Sequence, residues 1–486
     1  MITFSITDGC LVSCTGHAGE VIVPEEVRII GENAFSSHRR VKHVILPDGL
    51  RAIGDGAFRL CQELESVSMP ESVENIGGHA FADCWRLRDI QLPSSLREIG
   101  PFAFSGCSAL PDIAFPEGLE RVGQSAFDRA RMSKTLMLPK RLRRIEKKTF
   151  ARCKGLEQVI IHPDISHIGS WAFRECTSLR SVEFLPTDGC DHLEIGQGAF
   201  EGCSALEHME LPKRLGALSE GMLRHCRELK SVSIPKHCSE LPGHVFLGCS
   251  SLGQITGIQN IRWVGQSAFL GCKALEALPE MNRLEEIGPN AFEGCHGLRE
   301  IEIPRSVRTV NTRAFYRCFV LSRAVIPDRI EKLGQKAFAH CPKLTTVDYL
   351  HIPSNEDAFE HTPLWKDRKG LGHIPEKLPE HIRGCIPGNR LLDWGYFFFQ
   401  PDREYNISEP NGDGVVVVTS WCGADGPDRD GFGREEFYDR WLMDEQLLPI
   451  PGVRMFCNMS ENDMRVREKE WLEAVKQAGD ILQRKK

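Results

Sequence analysis

The segment LESVSMPESVENIGGHAFADC, Leu64–Cys84, decides the fold, because almost every apolar position in it returns 23 residues later along the chain. The Phe of its AF pair has equivalents at one constant step, which is interrupted by four extra residues before Phe200. These anchors are Phe35, Phe58, Phe81, Phe104, Phe127, Phe150, Phe173, Phe200, Leu223, Phe246, Phe269, Phe292, Phe315 and Phe338. Self-similarity at a period of about 20–50 residues is typical of a solenoid, whose units bury apolar surface against their neighbours.

One repeat contains two short extended segments and a tight corner. In the unit after Phe58, alternation around Val67 predicts a strand that Pro70 ends, because proline has no N–H to donate. A second apolar pair, Val73 and Ile76, predicts another short extended segment before Gly77. The AFxxC corner should point its Phe and Cys inward. Coils stacked about 4.8 Å apart would then align the Phe side chains in one column.

The IGxxAFxxCxxLxxVxLPxxL units, for example Ile53 to Met69 and Ile99 to Phe115, resemble the BspA-like class of leucine-rich repeats. The resemblance covers about residues 21–364. It includes the lead-in DGCLVSCTGHAGEVIVPEEV, which looks like that family's capping turn, and a truncated last unit at Phe359. It implies a curved, right-handed solenoid used for protein–protein contact, and some secreted relatives are adhesins.

The predicted fold is a leucine-rich repeat, β-rich horseshoe of 23-residue units followed by a small α+β domain. Residues 1–30 are expected to cap the solenoid of 31–364, and residues 365–389 to form a linker or cap. Residues 390–486 resemble no family that we recognise. Within them, GYFFFQ, GVVVVTSWC and VRMFCNM are strand candidates, GREEFYDRWLMDEQLL suits a helix or an extended segment, and residues 461–485 predict a final helix.

Composition narrows the expected partners and location. A net charge of −7 argues against general nucleic-acid binding. The first residues, MITFSITDGC, have neither the basic nor the apolar region of a secretory signal. The sequence has no apolar run long enough to span a membrane. The expected location is therefore the cytoplasm.

The cysteines allow two interpretations. The chain has 19 of them, and twelve recur three residues after the anchor, at a position here called the rung. Free cysteine is a small buried hydrophobe that suits a narrow corner, whereas rungs about 5 Å apart also lie within disulfide range. The odd total favours the free thiol, as do His38 and Ala130, which occupy the same rung without a compensating partner.

The unit that begins at Phe127 departs furthest from the template. It lacks the rung cysteine and the following Leu, and between Arg129 and Lys154 it has Glu146 as its only acidic residue. The basic residues there form a candidate patch: Arg129, Arg131, Lys134, Lys140, Arg141, Arg143, Arg144, Lys147 and Lys148, followed by Arg152 and Lys154. Such a run is either a solvated face or a docking surface for an acidic protein segment.

Two other irregularities interrupt the repeat. Four extra residues in LPTDGCDHLEIG predict a bulging turn. Trp263 stands in a unit that lacks its Pro, and core filling is favoured over an exposed anchor.

Each candidate motif for catalysis or metal binding lacks a residue that its chemistry requires. DGPDRDGFGREE places Gly426 and Phe437 where a calcium loop needs Asp and Glu. Cys422 has no histidine after it in the chain to act as its base. Cys10, Cys14 and His17 lie close together, but they lack a fourth ligand and fit no common zinc spacing. We therefore predict no catalytic, cofactor-binding or metal site.

The leading hypothesis is a non-enzymatic protein–protein interaction scaffold that uses the repeat surface. Its partner would be a protein, and the basic patch would suit an acidic one. One alternative is an enzymatic or toxin/immunity-type activity in residues 390–486 that the repeats target. Another is an adhesin exported by a non-classical route.

Overall fold

The computed structural model describes residues 2–364, apart from 111–112, 133, 187–191 and 349–355. It also describes residues 404–407, 416–422, 437–443, 456–460 and 476. Two compact units result, Met1–Arg368 and Lys369–Lys486.

A hairpin opens the first unit. Strand β1 (Thr3–Thr7) pairs antiparallel with β2 (Cys10–Thr15). Strand β2 then pairs in parallel with β4 (Ile29–Ile30), which belongs to the first coil. The hairpin therefore covers the N-terminal edge of the stack, which blunts an edge that could otherwise pair with another chain.

Each regular coil carries a strand just before its repeated Pro, here called the Pro-side strand. Its middle residue points into the core and its two ends face outward, as in Ser66–Ser68, where Val67 is buried. These strands stack in parallel as β3-β5-β7-β9, β12-β14-β16, β18-β19-β21 and β24-β26-β28. Their bounds are β3 Glu20–Ile22, β5 His43–Ile45, β7 Ser66–Ser68, β9 Asp89–Ile90, β12 Thr135–Met137, β14 Gln158–Ile161, β16 Ser181–Phe184, β18 His208–Glu210, β19 Ser231–Ser233, β21 Gln254–Thr256, β24 Glu300–Glu302, β26 Arg323–Val325 and β28 Thr346–Asp348.

A second, two-residue strand lies just before the repeated Gly and is here called the Gly-side strand. These strands form three parallel ladders: β4-β6-β8-β10-β11, which continues from β1 and β2, then β13-β15-β17 and β20-β22-β23-β25-β27. Their bounds are β4 Ile29–Ile30, β6 Ala52–Ile53, β8 Asn75–Ile76, β10 Glu98–Ile99, β11 Arg121–Val122, β13 Arg144–Ile145, β15 His167–Ile168, β17 Glu194–Ile195, β20 Glu240–Leu241, β22 Trp263–Val264, β23 Glu286–Ile287, β25 Thr309–Val310 and β27 Lys332–Leu333.

The anchor rings form the centre of the core. Phe81 and Phe104 are 0% exposed, and their ring centroids lie 5.2 Å apart with nearly parallel planes. The same stacking runs from Phe35 to Phe200, and from Phe246 to Phe359, which ends the short 3-10 helix Glu356–Phe359. Leu223 is fully buried but has no ring. The predicted aromatic column is therefore divided at this residue, although apolar packing continues through it.

The rung cysteines are buried free thiols. Each donates its S–H to the carbonyl of the anchor residue in the preceding coil, at sulfur–oxygen distances of 3.0–3.3 Å. Burial raises the pKa of the Cys61 thiol to about 12, so the thiol stays protonated and unreactive. The donors are Cys61, Cys84, Cys107, Cys153, Cys176, Cys203, Cys226, Cys249, Cys272, Cys295, Cys318 and Cys341.

The corner around the anchor ring requires left-handed backbone twice per coil. In the coil of Phe81 these residues are His79 and Asp83, with φ of 55° and 59°. The strain of a non-glycine residue there is sustained by backbone bonds between coils, such as Phe81 N–H to Ala103 O at 2.7 Å. Because most of these residues are not glycine, this feature could not be predicted from the sequence.

The second unit contains a four-stranded antiparallel sheet in the order β29-β30-β31-β32. These strands are β29 Glu404–Ile407, β30 Val416–Cys422, β31 Phe437–Met443 and β32 Phe456–Ser460. Strands were predicted for GVVVVTSWC and VRMFCNM, and GREEFYDRWLMDEQLL takes its extended alternative. The predicted GYFFFQ strand, and all but Lys476 of the predicted 461–485 helix, lie outside the described residues.

Candidate protein-binding site at a break in the Gly-side ladder

The repeated Gly marks the place where neighbouring coils come closest. A Cβ atom on Gly123 would lie 2.5 Å from the backbone nitrogen of Pro101, and one on Gly169 would lie 2.6 Å from that of Lys147. Real Cβ atoms do not approach other atoms so closely. In the coil between these two glycines the equivalent residue is Glu146. A side chain at this position therefore requires the neighbouring backbones to shift.

The ladder opens at this residue. Among the described strands, β11 pairs only with β10, and β13 pairs only with β15. The neighbouring corner remains closed, since Phe127 N–H donates to Thr149 O at 2.9 Å. The two coils thus stay joined at the aromatic column and separate on the Gly side.

Five backbone groups lose their regular partners at the opening. One coil earlier, the N–H groups of Glu120 and Arg121 donate to Arg97 O, and that of Gly123 donates to Ile99 O, at 2.8–3.2 Å. The equivalent donors, Arg143, Arg144 and Glu146, and the equivalent acceptors, Glu120 and Val122, have no backbone partner across the break within the part of the chain that the structure describes.

The other ladder interruption supports this dependence on glycine. Wherever glycine holds the position, the Gly-side strand pairs with the strand before it. The second interruption, between β17 and β20, coincides with Ser219 and Pro242 at this position. Asn311 is the exception: its N–H still donates to Ile287 O at 2.9 Å, and its side-chain amide donates to the same oxygen at 3.1 Å.

Phe115 packs against the two rings of the column that lie on either side of the break. Its ring stands edge-on to Phe127 at 5.4 Å and to Phe150 at 6.3 Å, so it contacts two successive members of the column. The centroids of Phe127 and Phe150 are 5.7 Å apart, compared with 4.9–5.5 Å for the other stacked anchor pairs. The stack is therefore slightly expanded here without exposing the column.

The opening forms a groove of about 930 Å³, here called the Glu146 groove. Strand β11 lies on one side and β13 on the other. Its charged lining residues are Arg121, Lys140, Arg141, Arg143 and Arg144, together with Glu98, Glu120 and Glu146. Five cations against three carboxylates give the groove a net positive charge.

Ion pairs within the groove are exposed. The Arg141 guanidinium reaches Glu120 Oε1 across the break at 3.2 Å, and that of Arg144 reaches Glu146 Oε1 at 3.5 Å. Arg143 lies 3.9 Å from Asp164 of the following coil. Exposed pairs of this kind contribute little to stability. Carboxylates from a binding partner could therefore replace them at small cost.

The structure divides the predicted basic patch. Lys140, Arg141, Arg143 and Arg144 meet in the groove. Lys147 and Lys148 instead lie over the Trp171 ring, at 5.1 and 5.5 Å from its centroid.

The remaining members of the patch lie away from the groove. Arg129 and Arg152 share the buried carboxylate of Asp128, at 3.7 and 2.7 Å. Lys134 pairs with Glu157 at 3.6 Å next to the Pro-side strand, and Arg131 and Lys154 are exposed. Carboxylates outside the segment thus partly neutralise a run that had seemed opposed by Glu146 alone. The sequence signal for the groove is the missing glycine at Glu146, a residue that is also the one acidic member of the basic run.

Trp263 does not fill the core as expected. It occupies the outward position of β22 and is partly exposed, with the Arg262 guanidinium 4.7 Å from its ring centroid. The four-residue insertion falls mainly on residues 187–191, outside the described part of the chain.

Metal and membrane sites were also sought in the described residues. None of the His, Cys, Asp and Glu side chains described form a group of three that could hold a metal ion. Cys14 is buried in β2, and its burial raises the pKa of its thiol to about 11. The calcium-loop segment and the Cys422 side chain lie outside the description. No helix in the described residues is long and apolar enough to cross a membrane.

Parallel coils of about 23 residues around a column of Phe rings define the chain as a leucine-rich repeat solenoid. The family model for the BspA type leucine-rich repeat region, in six copies, matches residues 4–130, 74–189, 191–284 and 277–366. The chain therefore belongs to the BspA-type leucine-rich repeat family, as its sequence predicted.

Solved structures of similar fold include a leucine-rich repeat protein from Bacteroides ovatus. It is 28% identical with a TM-score of 0.63, and the match covers 71% of this chain and 92% of that one. A leucine-rich cell surface protein from Faecalibacterium prausnitzii is 22% identical with a TM-score of 0.43, over 72% of this chain and 93% of that one. No curated protein matches the chain.

Proposed function

We propose that this protein is a non-enzymatic binding scaffold whose solenoid recognises an acidic segment of a protein partner at the Glu146 groove. The observation that carries the proposal is the meeting of Lys140, Arg141, Arg143 and Arg144 in an open groove on a rigid stack. Because the groove is formed before the partner arrives, little conformational entropy is lost on binding.

Charge is the expected source of the selectivity. The cations of the groove are exposed and either lack an acidic partner or hold one weakly, so they remain able to attract carboxylates from solution. Attraction between exposed charges is screened over about 10 Å at 0.1 M salt. Binding of the partner should therefore weaken steeply as the ionic strength rises.

Affinity capture from the source cell with the full chain tests the proposal. The variant R141E/R143E/R144E reverses three groove cations, whereas the matched control R86E/R88E/R308E reverses three exposed arginines whose partners are Glu63, Glu65 and Glu331. We expect a salt-sensitive partner that the control retains and the groove variant loses. Equal capture by both variants would reject the groove as the binding site.

We also propose that the protein works in a reducing compartment. The support for this is the hydrogen-bonded burial of the twelve rung thiols, which leaves each one protonated and donating to a carbonyl. Thiol labelling of the denatured protein, taken directly from its cells under alkylating conditions, should find these cysteines reduced. Extensive disulfide bonding among them would contradict the proposal.

A further inference from the structure

We propose that the acidic segment binds in an extended conformation and adds as a strand to the free edge of β13. This inference rests on the proposed function and gives it a mechanism: main-chain hydrogen bonds hold the segment, and the surrounding cations select it by charge.

The free edge carries the same donors that hold regular coils together. In the preceding coil, the N–H groups of Glu120, Arg121 and Gly123 all donate to a neighbouring strand. In the coil of β13 the equivalent residues, Arg143, Arg144 and Glu146, line the groove, and their N–H groups have no backbone partner across the break among the described residues. Unpaired strand edges are templates on which another extended chain can pair.

The distribution of charge distinguishes the two sides of the groove. The donor edge belongs to the coil that supplies four cations and one carboxylate, that of Glu146, whereas the opposite side carries Glu98 and Glu120 and one cation, Arg121. The donor side is therefore net positive and the opposite side net negative, so an acidic segment would be attracted to the donor side. Its carbonyl oxygens would thus meet backbone donors on the same side where its carboxylates meet side-chain cations.

The groove also has room for such a segment. Its volume of about 930 Å³ lies within the range of clefts that bury drug-sized ligands, roughly 300–1,000 Å³. Strand β13 is only two residues long, Arg144–Ile145. Adding a short strand there would reproduce the pairing that β15 already makes with β13 on its other side.

The first test uses two synthetic peptides of identical charge with the full chain at low salt. One is Glu-Val-Glu-Val-Glu-Val-Glu in L residues, and the other is the same sequence with D-valines, which cannot form a regular pleated strand. We expect the L peptide to bind at least about tenfold more tightly and to slow hydrogen exchange at the amides of Arg143, Arg144 and Glu146. Equal binding of both isomers, binding without this protection, or no binding by the L peptide would overturn the inference.

A matched pair of variants tests the edge from the side of the protein. Glu146→Gln and Glu146→Gly remove the same carboxylate, but only the glycine removes the Cβ that keeps the coils apart. We expect E146Q to bind the L peptide at least as well as the parent chain. In E146G, the three amides should already exchange slowly in the free protein, and peptide binding should fall to the level of the D-valine isomer. If E146G shows such slow exchange and still binds the L peptide fully, the inference is wrong.

Failure of the inference can be told apart from failure of the proposed function. Loss of both isomers in R141E/R143E/R144E, with equal binding of the isomers to the parent chain, would keep the basic groove and reject strand addition. Equal capture of the cellular partner by that variant and its control would reject the proposed function itself.

Discussion

The coil that begins at Phe127 has the same repeat pattern as the regular coils that begin at Phe58 and Phe81. It differs from them in that its Gly-side strand does not pair with the strand before it. In the regular coils, Gly77 and Gly100 bring neighbouring backbones into contact and the Gly-side ladder is continuous. In the Phe127 coil, Glu146 replaces the glycine, the ladder is interrupted and a charged groove lies between the coils. Every Gly-side strand with glycine at this position pairs with the strand before it, and both interruptions of the ladder fall where another residue replaces the glycine, whereas Asn311 keeps the pairing.

The aromatic column explains why this opening does not disrupt the fold. Phe127 and Phe150, the rings on either side of the break, are both 0% exposed and remain stacked at 5.7 Å, only slightly more than the 5.2 Å between Phe81 and Phe104 in the regular part. The apolar residues of the Gly-side strands on both sides of the break, Val122 and Ile145, also remain buried in the same core. A solenoid can thus open one face of a coil and keep its core.

Removal of a column ring should produce the largest effect. The substitution Phe104→Ala deletes a fully buried ring between two others, and should lower the free energy of unfolding by about 3–5 kcal/mol. Phe115→Ala should cost clearly less, because that ring is partly exposed and lies at the break. Urea unfolding followed by tryptophan fluorescence measures both. A larger loss for Phe115→Ala would mean that the Phe115 ring, and not the column, holds the two halves of the stack together.

The second prediction converts a regular coil into an open one. In Gly123→Ala, the added Cβ would meet Pro101 N at 2.5 Å, so β11 should separate from β10 at a cost of about 1–3 kcal/mol. Hydrogen exchange at the amides of Glu120, Arg121 and Gly123 should accelerate. In the matched control Gly19→Ala, the new Cβ has no atom within 4 Å, and the stability should hardly change. If Gly123→Ala leaves exchange unchanged, the missing glycine does not explain the opening at Glu146.

Much of the regular fold could be predicted from the sequence because each inward position repeats many times. Phe58, Cys61 and Val67 lie in the core where the period placed them. The ion pairs were harder to predict, because charges on adjacent coils meet about one period apart along the chain. Arg141, for example, forms its ion pair with Glu120 of the preceding coil rather than with an acidic residue of its own segment. A count of charges along one segment therefore overstates the basic patch. The stacking of the coils places some of its residues in the groove and the others away from it.

The smallest expected effect concerns the rung cysteine, which is replaced by Ala130 in the Phe127 coil. In the regular coils a thiol such as that of Cys107 donates to the carbonyl of the preceding anchor, Phe81, at 3.1 Å, whereas Ala130 has no donor to offer Phe104. A typical intramolecular hydrogen bond contributes about 0.5–1.5 kcal/mol, and a thiol is a weaker donor than a hydroxyl. Ala130→Cys should therefore raise the free energy of unfolding by less than about 1 kcal/mol, and Cys107→Ala should lower it by about 1 kcal/mol.

These two substitutions test whether the missing rung cysteine, rather than the missing glycine, causes the Gly-side ladder to open in the Phe127 coil. If the missing thiol contributed to the opening, Ala130→Cys would also slow hydrogen exchange at Arg143 and Arg144. We expect no such change, because the corner at Ala130 is already closed: the N–H of the adjacent Arg129 donates to Ala151 O at 2.9 Å. A clear destabilisation by Ala130→Cys would show that the packing around Ala130 leaves no room for sulfur. The irregular coil would then have been repacked around the alanine, and its rung and its ladder would have to be explained together.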